Sequence, residues 1–355
     1  MRSLSHSSFA AEPVSIIVAC RNESIWVERF LQSLANQEGV ASPVDIVIAD
    51  GMSNDGTRAI LDRFAAREGV LPATWSIRIL DNPRKIASTG LNLALRASAG
   101  RIVLRMDAHT EYAPNYVEQC LHVLGKSGAA NVGGPARTKG NGYWQRAIAL
   151  AFHSPFFSGG ARFHDPQFEG AVDTVPYGCW RRETLVTLGG FDETLVRNQD
   201  DELNFRITQA GGIIWQSPAI RSSYFPRRTL GALARQYFEY GYWKPAVIAK
   251  YGKPAHWRHL APAAAMLFLL LTALFTPFFK GATVLLFGMG FVYALAGLLA
   301  AFFAARPGSW RFLPALPLIF ATVHSTYALG FAFGGWVHRR RRGETATQKI
   351  AAEAR

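Results

Sequence analysis

Two polar stretches, each directly after an apolar run of strand type, hold the side chains best suited to chemistry. Asp107 and His109 follow the run 101–106, and Asp50 opens the stretch 50–57 after a second such run. Side chains two residues apart in a strand point to the same face, so we expect Asp107 and His109 to share one crevice. A carboxylate and an imidazole there can hold a divalent cation, and the cation can hold a diphosphate. The alternative is a solvated strand-to-loop turn.

The elements that must position these residues follow from hydrophobic patterning. Apolar runs at 14–19, 44–49, 76–80 and 101–106 alternate with helical patterns. This alternation predicts an α/β fold with a parallel sheet and right-handed crossovers. Ligands of such sheets bind outside the carboxyl ends of the strands. The less regular part, 115–225, is interrupted by glycine pairs and predicts a mixed sheet that covers the first half.

The composition indicates a membrane partner. The chain has 355 residues, a formal net charge of +13 and an isoelectric point near 10.0, and a basic balance favours nucleic acid or an anionic membrane surface. No helix-turn-helix, zinc-finger or aromatic RNA-binding pattern occurs, so we expect no nucleic acid partner. Three cysteines without a CxxC pair predict neither a disulfide framework nor a zinc site. The polar first twelve residues predict no signal peptide.

Long apolar segments dominate the last third of the chain. They cover about 260–279, 282–305 and 312–336. Each can cross about 30 Å of hydrocarbon at about 1.5 Å per residue, and a buried globular bundle would instead need polar faces. We therefore expect a multi-pass membrane domain. The preceding region, 229–256, predicts an amphipathic helix in the membrane interface, with packing on its own domain as the alternative.

A further ordered set of motifs carries a resemblance. The motifs are Tyr177–Arg182, Gly189–Glu193, Asn198–Arg206 and Gly211–Gly212. With the preceding strands they resemble the family 2 inverting glycosyltransferases of the GT-A fold, in particular the branch that builds succinoglycan-type exopolysaccharide on a lipid carrier. The resemblance covers roughly residues 13–255, with a matching membrane tail. It implies a nucleotide-sugar-binding mixed sheet flanked by helices, followed by an interfacial helix and transmembrane helices.

The resemblance implies a donor site at the ends of the first strands. The loop that meets the nucleoside is matched by Ala19, Arg21 and Glu23. Asp50 matches the acid that binds the base edge, and Asp107 and His109 match a D-x-D motif that meets the ribose and the metal. Histidine at its last position departs from the family pattern. Imidazole suits Mn²⁺ better than Mg²⁺, and the expected cofactor is one of these two cations.

Asp200 matches the catalytic acid of the family. An inverting transfer needs a carboxylate that takes the proton of the acceptor hydroxyl while its oxygen attacks the anomeric carbon. Gln199 stands where the family has Glu, which should lower the pKa of the base relative to a Glu-Asp pair. We interpret Asp201 and Glu202 as acidic residues of a helix's first turn, with Glu202 paired to Arg206 four residues on.

The remaining candidates concern the acceptor. Arg181 and Arg182 either face the acceptor or its diphosphate, or are surface arginines. Gln236 matches the first residue of the Q-x-x-R-W motif of processive synthases. The Arg-Trp pair of that motif is missing, because Glu239 and Tyr240 stand at its positions. We therefore expect transfer of a single sugar.

The resemblance thus implies a metal-dependent transferase that moves one sugar, glucose, from a UDP-sugar to a polyprenyl-diphosphate-linked saccharide. It would act at the cytoplasmic face of the bacterial inner membrane. Transfer to bare polyprenyl phosphate and an inactive nucleotide-sugar-binding scaffold are the alternatives. The expected organisation is a polar tail (1–12), a catalytic domain (13–228), an interfacial region (229–256), a membrane domain (257–337) and a basic tail (338–355).

The basic cluster 339–342 conflicts with three full crossings. A cytoplasmic catalytic domain and three crossings would place this cluster outside, against the positive-inside rule. Arg306 and Arg311 fit an inside loop, and Lys280 fits an outside one. We therefore expect the segment 312–336 not to cross, because its prolines and glycines suit a re-entrant or broken helix.

Overall fold

The computed structural model describes residues 12–305 and 308–353, with side chains up to Arg340. The predicted polar tail up to residue 11, Arg306 and the side chains of the basic tail beyond Arg340 lie outside the described residues. The chain forms two compact units. The first contains the residues up to Thr138 and Arg162–Phe225, and the second contains Lys139–Ala161 and the residues from Pro226 on. The segment 139–161, which the sequence analysis assigned to the catalytic domain, thus groups with the apolar helices.

The strands and helices follow in chain order. The strands are β1 (Val14–Cys20), β2 (Val44–Asp50), β3 (Trp75–Asp81), β4 (Ile102–Met106), β5 (Thr110–Tyr112), β6 (Asn131–Gly133), β7 (Gly170–Val172), β8 (Cys179–Arg181), β9 (Ile214–Gln216) and β10 (Ser222–Tyr224). The helices are α1 (Val27–Ala35), α2 (Thr57–Ala65), α3 (Ala87–Ala97), α4 (Tyr116–Ser127), α5 (Tyr143–Phe152), α6 (Pro155–Ser158), α7 (Arg182–Thr187), α8 (Gln199–Gln209), α9 (Leu230–Tyr251), α10 (Ala261–Phe275), α11 (Lys280–Ala304) and α12 (Ala315–Glu353).

A single eight-stranded sheet organises the first unit, in the order β3-β2-β1-β4-β8-β6-β9-β7. The first four strands are mutually parallel, whereas β8 runs antiparallel to both β4 and β6. Alternate residues of β1, such as Ile16 and Ile17, enter separate hydrophobic clusters on the two faces. Burial on both faces explains why these strands are continuous apolar runs. The predicted α/β fold, parallel first and mixed later, is confirmed.

The chain leaves the sheet earlier than the sequence predicts. Strand β4 ends at Met106, and the amide of Thr110 donates to the carbonyl of Asp107 at 3.2 Å, which closes a turn. The next strand, β5, pairs with β10 in a separate two-stranded ribbon. The expectation that Asp107 and His109 share a face through strand alternation is therefore wrong, because both residues lie in this turn.

The apolar helices of the second unit differ in length. Within the part of the chain that the structure describes, two helical stretches are long and apolar enough to cross a membrane, Lys280–Ala304 and Ala315–Arg340, whereas Ala261–Phe275 is shorter. The prediction of a broken last segment is wrong, because α12 is continuous. Pro317 lies in its first turn, where no intrahelical hydrogen bond is lost. Gly330 packs so closely against α9 that a Cβ there would overlap the carbonyl oxygen of Phe238.

Candidate functional site

The carboxyl ends of β2, β1 and β4 lie side by side and form one edge of the sheet. Cys20 pairs in register with Asp50, and Val18 pairs with Met106, which precedes Asp107. Neighbouring strands lie about 4.8 Å apart, so roughly 10 Å separates Asp50 from Asp107, with β1 between them. This edge, which we call the donor edge, is where ligands of open α/β sheets bind.

Asp50 fixes the turn that follows β2. It is only 2% exposed, and both carboxylate oxygens accept hydrogen bonds from Ser53, one from the amide at 3.1 Å and one from the hydroxyl at 2.5 Å. The carboxylate therefore has a structural task in the free protein. Its contact with a nucleoside base, which the resemblance implies, stays a prediction.

The loop after β1 is tied to the loop after β2 by reciprocal hydrogen bonds. Asn22, which has a positive φ of 56°, donates its amide to the Ser53 hydroxyl at 2.9 Å and accepts from the Asn54 amide at 3.0 Å. The amide of Glu23 donates to the Thr57 hydroxyl at 2.8 Å. Two loops that are far apart in sequence thus form one rigid rim at the donor edge.

The three predicted nucleoside contacts lie along this rim. Ala19 is the next-to-last residue of β1, where a Cβ on Gly90 would come within 3.1 Å of its methyl group. Arg21 is exposed, and its stem packs on Gly51, while Glu23 is half-buried. All three residues therefore lie at the end of β1 or in the loop that follows it.

The turn after β4 brings Asp107 and His109 to the same edge. The amide of Asp107 donates to the Tyr112 hydroxyl at 2.7 Å. The Nδ1 atom of His109 lies 3.4 Å from Oε1 of Glu23, and the imidazole contacts the Tyr224 ring edge-on with centroids 5.9 Å apart. The histidine thus links the β4 turn to the loop after β1.

Arg105 is the functional candidate that the sequence analysis missed. Its side chain is buried, and Nη2 contacts both carboxylate oxygens of Asp107, at 3.1 and 3.2 Å. Its Nη1 forms an ion pair with Asp200 on α8. These charges raise the pKa of the guanidinium despite the opposing effect of burial, so Arg105 stays charged. The signal was available in the sequence, as an arginine inside an otherwise apolar strand two residues before Asp107.

Asp200 lies in the first turn of α8. The residue that precedes this helix, Asn198, has a left-handed backbone conformation with a φ of 63°. The Asp200 side chain keeps 33% of its surface exposed while one oxygen binds Arg105. Burial raises the pKa of the Asp200 carboxyl, and the Arg105 guanidinium opposes that rise only in part. A carboxylate with a raised pKa and an accessible oxygen is suited to accept a proton.

The rest of α8 is fixed by buried polar contacts. Glu202 is fully buried and accepts from Arg206, with Nη2 to Oε2 at 2.6 Å, so the predicted pair is confirmed. The side-chain amide of Asn131 donates to Asn204 at 2.8 Å and thereby connects α8 to the sheet. The N-terminus of α8, with Asp200, is therefore held rigidly.

Arg181 and Arg182 lie away from the donor edge, and their acceptor role stays a prediction. Because β8 runs antiparallel to β4, Arg181 pairs with Ile102 at the end of β4 opposite to the donor edge. The guanidinium of Arg182 donates to the carbonyl oxygens of Gly100 at 2.6 Å and Leu95 at 2.9 Å, so this half-buried arginine is a structural clamp.

Gln236, the last predicted site residue, belongs to the second unit. It lies on α9, where its side-chain amide donates to the Tyr240 hydroxyl at 2.8 Å.

Asp107 and His109, the two residues that the resemblance assigns to a divalent cation, both lie at the donor edge. Burial raises the pKa of the Cys20 thiol, and the surrounding carboxylates of Glu23, Asp50 and Asp107 raise it further, so several negative charges lie near the end of β1. An imidazole whose Nδ1 faces a carboxylate, as in His109, would ligate a metal through Nε2. Among the described residues there is no group of three or more metal-ligating side chains, so phosphate or water oxygens would complete the shell.

The fold and the family of the chain are now defined. A sheet that is parallel over β1–β4 and mixed beyond, with acids at neighbouring strand ends, is of the GT-A class. The glycosyl transferase family 2 model matches residues 15–185, and the chain belongs to this family.

Two relatives define its position more closely. The chain is 30% identical over 251 residues to the succinoglycan biosynthesis protein ExoA of Rhizobium meliloti (strain 1021). The aligned residues cover 70% of this chain and 74% of that protein. It is 24% identical over 246 residues, 67% of this chain and 74% of the relative, to a Methanococcus voltae enzyme. That enzyme is named dolichyl N-acetyl-alpha-D-glucosaminyl phosphate 3-beta-D-2,3-diacetamido-2,3-dideoxy-beta-D-glucuronosyltransferase.

Solved structures share the fold. A mannosyltransferase from Pyrobaculum calidifontis, in complex with GDP-Man and Mn²⁺, superimposes with a TM-score of 0.55 at 20% identity and covers 89% of this chain and 86% of that one. TarS from S. aureus, residues 1–349 in complex with UDP-GlcNAc, gives a TM-score of 0.50 at 14% identity, with 93% and 92% covered. At these identities the likeness concerns the fold alone.

Proposed function

We propose that this family 2 member is a membrane-anchored inverting glycosyltransferase that moves a single glucose from UDP-glucose to a polyprenyl-diphosphate-linked saccharide. The observation that carries the proposal is Arg105, whose guanidinium joins Asp107 at the donor edge to Asp200 on α8. A candidate donor-binding acid and a candidate base therefore belong to one site. An inactive scaffold would have no need for a base held in this way.

Asp200 is the proposed general base. As the acceptor oxygen attacks the anomeric carbon, Asp200 takes the hydroxyl proton and the bond from that carbon to the diphosphate breaks, so the configuration inverts. Because burial raises the pKa of Asp200, its carboxylate is a stronger base than an exposed aspartate. Arg105 keeps that carboxylate oriented towards the donor edge.

Asp107 and His109 are the residues that would hold the cation, Mn²⁺ or Mg²⁺. When bound, the cation would neutralise charge on the departing diphosphate. The loop formed by Ala19, Arg21 and Glu23, together with Asp50, would hold the nucleoside. The Pyrobaculum mannosyltransferase, which shares the fold, was solved with GDP-Man and Mn²⁺, so a cation beside a nucleotide sugar is compatible with this fold.

The proposed acceptor is lipid-linked and the proposed location is the cytoplasmic face of the bacterial inner membrane. The relation to a succinoglycan biosynthesis protein supports a role in exopolysaccharide synthesis. The name of the Methanococcus relative describes transfer to a sugar on dolichyl phosphate, which supports a saccharide on a lipid carrier. It also favours a second candidate acceptor, in which the lipid and the sugar are joined by one phosphate. The two long apolar helices support the membrane location.

The proposal is tested by offering the purified protein a panel of radiolabelled UDP-sugars and a bacterial lipid extract. We expect the label from UDP-glucose to enter the organic phase in a form released by mild acid, as a lipid diphosphate is. Release of free sugar only, or no consumption of any UDP-sugar, would contradict transfer to a lipid carrier.

A further inference from the structure

The second unit has an excess of positive charge. The sequence contains no Asp or Glu between Glu239 and Glu344, and none within 139–161. The same stretches contain many cations. Those whose side chains are described are Lys139, Arg146, Lys244, Lys250, Lys253, Arg258, Lys280, Arg311, Arg339 and Arg340. Charge of one sign repels itself, so such a surface is stabilised by an anionic partner.

Cations and an exposed aromatic ring come together in the loop 252–260, which connects α9 to the first apolar helix. It contains Lys253, His256 and Arg258, and Trp257 is 70% exposed. The following helix, α10, exposes apolar side chains along its length. A tryptophan beside cations at the start of an apolar helix is typical of a segment in the membrane interface. There, aromatic rings lie at the depth of the lipid headgroups.

The loop is held in place by contacts within the second unit. The Nδ1 atom of His256 accepts from the Arg258 amide at 3.2 Å, and the Tyr327 hydroxyl on α12 donates to the His259 carbonyl at 3.0 Å. The stem of Arg258 packs over Gly159, where a Cβ would meet it at 3.4 Å. Gly159 has a positive φ of 61°, and it is exposed at the end of α6. Arg258 is therefore fixed beside an exposed backbone turn.

We propose that the loop 252–260, with the turn at Gly159, binds the phosphate group of an anionic phospholipid of the membrane. This proposal rests on the membrane location in the proposed function. A phospholipid satisfies both features of the loop, because its phosphate meets Lys253 and Arg258 while its acyl chains extend along Trp257 and α10. Each cation close to an anionic surface contributes about 1 kcal/mol, which corresponds to about a five-fold change in affinity.

The test is a titration of the purified full-length protein, in neutral detergent, with a fluorescent short-chain phosphatidylglycerol. We expect phosphatidylglycerol to bind more tightly than the matching phosphatidylcholine. Lys253→Gln should weaken binding about five-fold, and Lys253→Gln with Arg258→Gln about thirty-fold. The matched control is Arg63→Gln, an equal charge change on the exposed surface of α2, which should leave binding unchanged.

Three outcomes would overturn the proposal: equal binding of the two lipids, wild-type affinity in Lys253→Gln, or displacement of the probe by farnesyl diphosphate but not by unlabelled phosphatidylglycerol. The last outcome would assign the loop to a prenyl diphosphate. Lys253 is exposed, so the single variant reports on the loop even if the Arg258 change disturbs packing. No nucleotide sugar is present, so a failure of the proposed sugar transfer would not alter this result.

Discussion

At the scale of single residues, the candidate site depends on one buried arginine. Arg105 touches two carboxylates that come from different parts of the chain, Asp107 after β4 and Asp200 on α8. Removing one partner of a buried ion pair is costly because it leaves the other charge uncompensated. Arg105 therefore stabilises the site and lowers the pKa of the proposed base, against the larger effect of burial.

The first prediction concerns Arg105→Met and the pH dependence of transfer. The base acts as a carboxylate, so kcat/KM should rise with pH through the pKa of Asp200, which lies above its ordinary value. The positive charge of Arg105 lowers that pKa, and its loss should move the acidic limb to higher pH by roughly 1 to 3 units. Arg105→Lys, which keeps the charge, should shift it less. If the acidic limb of the pH profile were unchanged in Arg105→Met, Arg105 would have no effect on the pKa of the base.

The second prediction concerns the cation. Transfer should require a divalent metal, with Mn²⁺ at least as effective as Mg²⁺, because imidazole is a softer ligand than carboxylate. His109→Ala should weaken binding of the UDP-sugar, measured by titration in the presence of Mn²⁺, and should change binding little in chelator. Full transfer activity in excess chelator would contradict the proposed site.

At the scale of elements, patterning predicts the sheet but not where its strands stop. The buried runs of β1, β2 and β4 and their acidic ends are visible in the sequence because parallel strands are apolar on both faces. The end of β4 at Met106 is not visible in the sequence. It depends on the pairing of β5 with β10, which is a contact between residues far apart in sequence. The structural role of Arg182 is likewise not visible in the sequence, because its hydrogen bond to Gly100 requires the antiparallel direction of β8.

Helix α12 shows why glycine alone is a poor sign of a break. The sequence predicted an interruption at Gly330–Gly335, but these residues are helical. A Cβ on Gly330 would overlap the Phe238 carbonyl, and one on Gly334 would overlap that of Tyr242. The glycines therefore allow two helix backbones to approach, a role that only the partner helix reveals.

The third prediction tests this packing. Gly330→Ala should destabilise the second unit by about 1 to 3 kcal/mol, since the added methyl group must push α9 and α12 apart. Gly335→Ala is the matched control in the same helix, because a Cβ there only reaches the Pro245 ring at 4.0 Å. Thermal unfolding in detergent should show a lower midpoint for the first variant and not for the second. Equal midpoints would refute the close approach of the two helices.

At the scale of the whole molecule, the number of membrane crossings is the main consequence of the second unit. Helix α12 packs along α9, which has an exposed Arg235 and a half-buried Glu239. A helix with these charges is suited to the membrane interface, so we propose that α12 lies there with it. The apolar segment 260–279 and α11 would then cross. Helix α10 alone rises only about 22 Å, so the apolar turn after it would complete the first crossing.

The fourth prediction follows from this arrangement. In intact cells, a membrane-impermeant thiol reagent should label Lys280→Cys but neither Ser309→Cys nor Arg340→Cys. The native cysteines, Cys20, Cys120 and Cys179, are buried and give little background. Permeabilised cells should label all three variants, which controls for reactivity. Labelling of Arg340→Cys in intact cells would mean that α12 crosses.

The role of Asp200 as general base is tested by the transfer rate of Asp200→Asn, with Asp201→Asn as the matched control one residue away. Both changes remove one negative charge from the first turn of α8, and the carboxylate that pairs with Arg105 is that of Asp200. If Asp200 is the general base, Asp200→Asn should keep its affinity for UDP and lose transfer by about 100-fold or more, whereas Asp201→Asn should stay close to wild type. Near-normal turnover by Asp200→Asn would remove this residue from the mechanism.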